Sequence, residues 1–366
     1  MAVGLPLKTT YANGDVYSAS DVNDTNGTIN LFQTSTLSVA AGKNSAINGG
    51  MDIWQRGTSI AGTTGSVYTA DRWALNTGGN AGRTVSRQVT GDTTNLPSIQ
   101  YCARIQRNSG QTNTAFARFY NMYETTNLIP LAGRTVTFSW YARKSSTFSG
   151  TQIIYSMQYG TGTDQNYFSG YTGSTSIVYA STVPTTTWVR YTTTQTIPAT
   201  ATELAIGFEV DWSGTAGAND YVEITGVQLE VGAYATTFSR AGGTMAGELL
   251  ACQRYFEKSI LQGSTPGANG NVGELWFPNA SIANNETWQL VRFSVTKRTS
   301  PTVTTYSYAG TSGRAANDSG TDYGADSANV WRNGDSYAVI KNNSGSSMTV
   351  TSVRWIYCNW TASAEL

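Results

Sequence analysis

Glu209 and Asp211 stand two apart in a run that reads as a strand, so both carboxylates point to one side of it. Two-residue spacing puts them about 7 Å apart. Paired carboxylates roughly 5–9 Å apart can cleave a glycosidic bond. The same spacing arises on any solvated strand face. Tyr141 and Arg143 alternate onto the polar face of another run, and Trp212 ends the Glu209 strand beside a Gly-rich loop. If the two strands are neighbours, Tyr141, Arg143, Glu209, Asp211 and Trp212 line one concave face. An exposed ring with fixed polar partners suits a saccharide, which presents an apolar face and a rim of hydroxyls. The alternative has Trp212 plugging an edge while the charges pair.

Other chemistries lack their residues. There is no His, the side chain that titrates nearest neutrality and the usual general base. There is no GxSxG elbow and no Gly-rich phosphate loop with Lys. Cys102, Cys252 and Cys358 are odd in number and widely separated, which reads as three reduced, buried thiols. Asn317, Asp318, Asp322 and Asp326 crowd one loop without calcium-loop spacing. The chain is therefore expected not to be an enzyme and to need no cofactor.

Lys+Arg and Asp+Glu each number 23, so no global field recruits nucleic acid or a membrane surface. No stretch approaches the ~18 apolar residues of a membrane span. The amino terminus, MAVGLPLKTTYANGDV, has no basic region followed by an apolar run, so it does not read as a signal peptide. Synthesis and assembly in a cytoplasm are expected.

The elements that must position these residues are strands. Thr outnumbers even the 38 Gly, and 21 Tyr and 10 Trp accompany them, a mixture that favours β-structure over helix or disorder. Val136, Phe138 and Trp140 alternate with polar neighbours, as do Leu204, Ile206, Phe208 and Val210. Val222, Ile224, Val227 and Leu229 do the same, with a break at Gly226 that suits a bulge. The predicted architecture is all-β: an arm over 1–45, a jelly-roll sandwich over 46–240, a linker over 241–250 and a smaller β-rich head over 251–366. Cys252–Lys258 is read as the first strand of the head. Tyr306, Tyr308, Tyr323 and Trp331 are candidate exposed rings there.

Several stretches carry a family resemblance, among them VTKRTSPTVTTYS (295–307) and the amino-terminal arm with Asn13-Gly14-Asp15 and SASDVND. INGGMDIWQRGTSI (47–60), followed by YTADRWAL (68–75), resembles virion proteins of tailed bacteriophages, especially tail-fibre and receptor-binding chains. GVQLEVGAYATTFSRAGGTMAGELLACQRYFEKS (226–259) is similar to a junction in those proteins. There a "QLE-G-ATPFE" ending of a carbohydrate-binding-like sandwich leads into "CQRYYEKS". Gln228, Leu229, Glu230, Gly232, Ala235, Thr236 and Phe238 match the first motif, and Cys252 to Lys258 match the second. Thr237 and Ser239 depart from it.

The resemblance implies a homotrimeric tail fibre or receptor-binding protein, located in the virion, that contacts host surface glycan. It implies that the arm docks on other virion proteins. It also implies a possible structural calcium, with Asp52 and Glu230 as the acids in position. A capsid decoration (head-fibre) protein and a glycan-degrading tailspike enzyme are the alternatives.

Overall fold

The computed structural model describes residues 42–270, 275–278, 287–317, 322, 327–342 and 355–366. The greater part of the expected arm, residues 1–41, lies outside them, as do Asp318, Tyr323 and Asp326.

The described strands up to residue 240 are β1 (Ser59–Ala61), β2 (Ser66–Tyr68), β3 (Trp73–Asn76), β4 (Arg83–Val89), β5 (Tyr101–Arg107) and β6 (Ala117–Tyr123). They continue with β7 (Thr135–Lys144), β8 (Ile153–Gly160), β9 (Thr175–Thr182), β10 (Val189–Thr196), β11 (Glu203–Val210) and β12 (Asp220–Val231). They form two six-stranded sheets, with orders β1-β4-β5-β12-β7-β10 and β2-β3-β6-β11-β8-β9. Every ladder is antiparallel. The fold is all-β, a jelly-roll sandwich followed by a smaller β-rich unit.

Alternation explains the sandwich core. Val136, Phe138, Trp140 and Ala142 of β7 meet Ile206, Phe208 and Val210 of β11 in one buried cluster. Phe138 lies 4.8 Å from Trp140 and 5.8 Å from Phe208 between ring centroids. Burying each such side chain stabilises by roughly 1.5–3 kcal/mol. In β12 the inward positions change phase between Ile224 and Val227. The register shift between Thr225 and Gln228 accommodates this, with Gly226 at φ +58°. A Cβ on Gly226 would stand 2.7 Å from both Ile99 and Tyr141. Without that bulge Val227 and Leu229 would face outward.

A helix, Met245–Gln253, follows the sandwich. Thr244 caps it, accepting from the Gly247 N–H at 3.1 Å. Buried Glu248 in its first turn accepts from Gly242 N at 2.7 Å and from Asn48 N. The stretch 241–250, read as a linker, thus carries the helix start and is hydrogen-bonded to the sandwich. Cys252 is helical rather than extended, a correction to the expected strand. The strand there is β13 (Phe256–Lys258).

The carboxy-terminal strands are β14 (Leu275–Pro278), β15 (Thr287–Arg292), β16 (Thr302–Tyr306), β17 (Ala316–Asn317), β18 (Asn329–Asn333), β19 (Tyr337–Asn342) and β20 (Trp355–Ser363). β13, β14, β16 and β17 all pair with β20, and β15-β19-β18 form a separate three-stranded sheet. Phe277, Ile340, Ile356 and Trp360 belong to the core of this unit.

A buried ionic cluster ties the two units together. Arg72, at φ +69° and 1% exposed, pairs with Glu365, and its guanidinium sits 3.6 Å from the Tyr255 ring centroid. Arg56 reaches Glu365 at 3.0 Å and Asp71 at 3.8 Å. Tyr68 Oη and Asn166 Nδ2 donate to the Leu366 carbonyl at 3.2 and 2.7 Å. The left-handed backbone at Arg72 accompanies a side chain directed at the carboxy-terminal end.

Candidate functional site

The five residues expected on one face do not share one. β7 lies in the first sheet and β11 in the second, so they are not neighbours. Tyr141 and Arg143 are on the outer face of the first sheet, while Glu209 is on the outer face of the second, across the core. Trp212 is 5% exposed within the core, 5.4 Å from the Arg83 guanidinium. The edge-plug alternative describes it.

On the first sheet the polar face is covered and its charges are paired. Tyr141 packs against Leu96, Ile99, Cys102, Trp188 and Phe238. Thr90 Oγ1 donates to Ile99 O at 3.0 Å, and Trp188 Nε1 donates to Thr90 O at 3.1 Å, fixing the 90–99 connection over that face. Arg143 Nε and Arg104 Nη2 donate to opposite oxygens of buried Glu223 at 2.5 and 2.6 Å. Arg143 also lies 4.6 Å from the Trp188 ring. These groups hold structure and offer little to a ligand.

The second sheet differs. Its ladders set Asn76, Arg118, Glu209, Ile154 and Ser181 side by side in one row across five strands. The adjacent row is Ala74, Tyr120, Gly207, Ser156 and Tyr179. Side chains in both rows point away from the core. Gly207 permits the close approach of Tyr120, because a Cβ there would stand 2.7 Å from Tyr120 Cγ. The Tyr167 ring, from the β8–β9 connection, stacks on Tyr120 at 5.2 Å. Cover therefore reaches Tyr120 and leaves the Tyr179 end open.

Glu209 organises the open end. Arg118 Nε donates to Glu209 Oε2 at 2.5 Å, and Tyr179 Oη donates to Glu209 Oε1 at 2.8 Å. Tyr179 is 50% exposed, with its hydroxyl fixed beneath an accessible ring. Its pKa is pushed up to about 12, first by burial of the hydroxyl and then by the hydrogen bond and charge of Glu209. The phenol stays a donor across the physiological range. Asp211, exposed at the strand end, has its carboxyl held above the usual range by desolvation and then by the charge of Glu209. Both Glu209 oxygens accept hydrogen bonds, so the carboxyl group is fixed in place by Arg118 and Tyr179.

Tyr179 and Arg118 are candidate site residues that the sequence reading did not single out. β9 reads TSIVYAST, whose alternation is interrupted by a register shift against β8 between Met157 and Gln158. β6 reads ARFYNMY, with rings at Phe119, Tyr120 and Tyr123, so neither face stands out as polar.

The proposed calcium acids are already neutralised by protein cations. Arg240 Nε donates to Asp52 Oδ2 at 2.8 Å. Glu230 accepts from Gln228 Nε2, Thr236 N and Thr236 Oγ1 at 2.6 to 2.8 Å, with Lys43 at 3.4 Å. No group of three or more His, Cys, Asp or Glu able to hold a metal occurs among the described residues. The donor set at Asp52 and Glu230 does not fit a calcium ion. Asp52 also lines a cleft of about 360 Å³ with Trp54, Met245 and Leu249. A second cleft of about 460 Å³ lies along residues 89–100. Neither contains Glu209 or Tyr179.

No protein-family model matches the chain, and no curated protein matches it. Among solved structures it is similar to the enzymatically active domain of tailspike protein 4 of bacteriophage CBA120, at 15% identity and TM-score 0.34. That match covers 52% of this chain and 21% of the tailspike domain. It is also similar to a CBM4 structure, at 17% identity and TM-score 0.33, over 51% of this chain and 99% of that one. A family 22 carbohydrate-binding module of Clostridium thermocellum Xyn10B aligns at 17% identity and TM-score 0.29, covering 46% and 94% of the respective chains. Likenesses this weak bear on neither family nor function.

Proposed function

We propose that this chain is a non-catalytic glycan-binding protein that contacts saccharide through the outer face of the second sheet. The observation that carries the reading is the Tyr179–Glu209–Arg118 chain. An accessible ring can stack on the apolar face of a pyranose. The half-exposed Arg118 guanidinium beside it can donate to ring hydroxyls, and buried Glu209 holds both the guanidinium and the phenol in place. Little side-chain entropy remains to be lost on binding, which favours affinity at an open face.

The resemblance at residues 226–259 supports a setting for that activity: a homotrimeric tail fibre or receptor-binding protein of a tailed-phage virion, joined to other virion proteins by its arm and directed at host surface glycan. Three weak sites on one rigid body would bind by avidity. Balanced charge argues against nucleic acid as the partner.

Isothermal titration of the full chain with host surface polysaccharide tests the binding. Saturable heat that is lost in Tyr179→Ala and retained in Arg143→Gln is expected. Binding indifferent to Tyr179 would contradict the site. Mass measurement in solution tests the trimer, and a stable monomer at micromolar concentration would contradict it. Release of new reducing ends from the polysaccharide would contradict the non-catalytic reading.

A further inference from the structure

The second sheet is poor in charge. Arg118, Glu203 and Glu209 are the charged residues of its six strands. Glu203 is buried at the far end of β11, where its Oε1 accepts from Gln165 N at 2.5 Å. Arg118 and Glu209 are the pair beside Tyr179. Asp211, two positions beyond Glu209, shares its side of the chain and stands exposed just past the strand end. Its charge reaches the Tyr179 hydroxyl, whose pKa it helps to raise after burial and Glu209.

The cation at this corner is already committed. Arg118 Nε donates to Glu209 Oε2 at 2.5 Å, and the guanidinium lies over the Phe116 ring at 4.2 Å. Desolvation first, then the charge of Glu209, hold the Asp211 carboxyl above the usual range. Arg118 is the cation that opposes them. Two carboxylates thus share one guanidinium, and it is buried Glu209 that holds it. Asp211 has no ion-pair partner among the described residues.

We infer that the Tyr179 site takes uncharged saccharide and discriminates against acidic polysaccharide, with Asp211 the residue that sets this preference. The inference rests on the saccharide reading of that face. A pyranose stacked on Tyr179 turns its rim toward Arg118 and Asp211. Hydroxyls there can accept from the guanidinium and donate to the free carboxylate. A carboxylate on the sugar meets Asp211 instead, with an arginine whose charge Glu209 already balances. Because Asp211 is exposed, solvent and salt limit the discrimination to severalfold.

The test is titration of the full chain with oligogalacturonate and with its methyl ester, which keeps the pyranose chain and removes the charge. At low ionic strength the ester is expected to bind severalfold tighter than the acid, and the ratio should shrink as salt is added. Asp211→Asn, a change at an exposed side chain past the strand end, should bring the two affinities to within about twofold. Arg143→Gln, on the covered sheet, should leave the ratio at its wild-type value. An ester bound no tighter than the acid would overturn the inference. A ratio unmoved by Asp211→Asn, while Tyr179→Ala still weakens ester binding, would overturn it and spare the site. Ester binding indifferent to Tyr179→Ala would remove the site itself, and the inference with it.

Discussion

The two outer faces of the sandwich arise from the same strand alternation and meet different fates. On the first sheet Tyr141 lies among Leu96, Ile99, Trp188 and Phe238, and two arginines close on Glu223. On the second, Arg118 and Glu209 end in a half-exposed tyrosine. Both faces carry arginine, a glutamate and rings, so composition does not separate them. Cover does. The connection after β4 folds back over the first sheet, while the connection after β8 covers the second only as far as Tyr120. A polar strand face becomes a binding candidate where no loop packs on it.

The comparison breaks most visibly at Glu223. Replacing it with leucine strands Arg104 and Arg143 without their shared carboxylate, and removing one partner of a buried pair costs about 3–5 kcal/mol. The arginine side chains are 23% and 27% exposed, which places the effect at the lower end. The urea midpoint should fall, while saccharide affinity of the folded fraction stays unchanged.

The junction between the units offers a pH test of buried charge. Burial first, opposed by Arg56 and Gln55, raises Asp71 from 3.8 to about 6. The folded state holds this proton to higher pH than the unfolded chain, so folding takes up a proton between about pH 4 and 6. Stability from this group is therefore greatest at the acid end and falls as pH rises to 6. The loss is on the order of 3 kcal/mol and stays level above that pH. Asp71→Asn should flatten this slope in urea titrations run across the window.

Smaller in energy, and directed at the open face, is Tyr179→Ala. It should weaken saccharide binding about tenfold, or ~1.4 kcal/mol. Unfolding free energy should move by no more than about 0.5 kcal/mol, because the ring is exposed. The smallest effect on binding is expected from Arg143→Gln, which should leave affinity unaltered within error.

These contrasts also explain what was legible in the sequence. Alternation placed Phe138 and Trp140, Ile206 and Phe208 correctly toward the core, and the break at Gly226 is the observed bulge. Alternation gives the face of a strand but not its neighbour. The pairing of β11 with β6 and β8, rather than with β7, is set by long-range ladders that no local pattern encodes. Tyr141 and Glu209 were therefore grouped across a core that separates them. Trp212 looked like a loop-side ring because its partner Arg83 is distant in sequence and itself buried. The ion pairs of Arg72 and Glu365, or of Arg240 and Asp52, join residues far apart in the chain and were invisible for the same reason.

The central claim is that the open face, and not the covered one, binds saccharide. Calorimetric titration of wild type, Tyr179→Ala and Arg143→Gln with one host surface polysaccharide tests it most directly. A roughly tenfold loss in Tyr179→Ala, with Arg143→Gln matching wild type, is the predicted result. Loss in Arg143→Gln with Tyr179→Ala unaffected would place the site on the first sheet and contradict it.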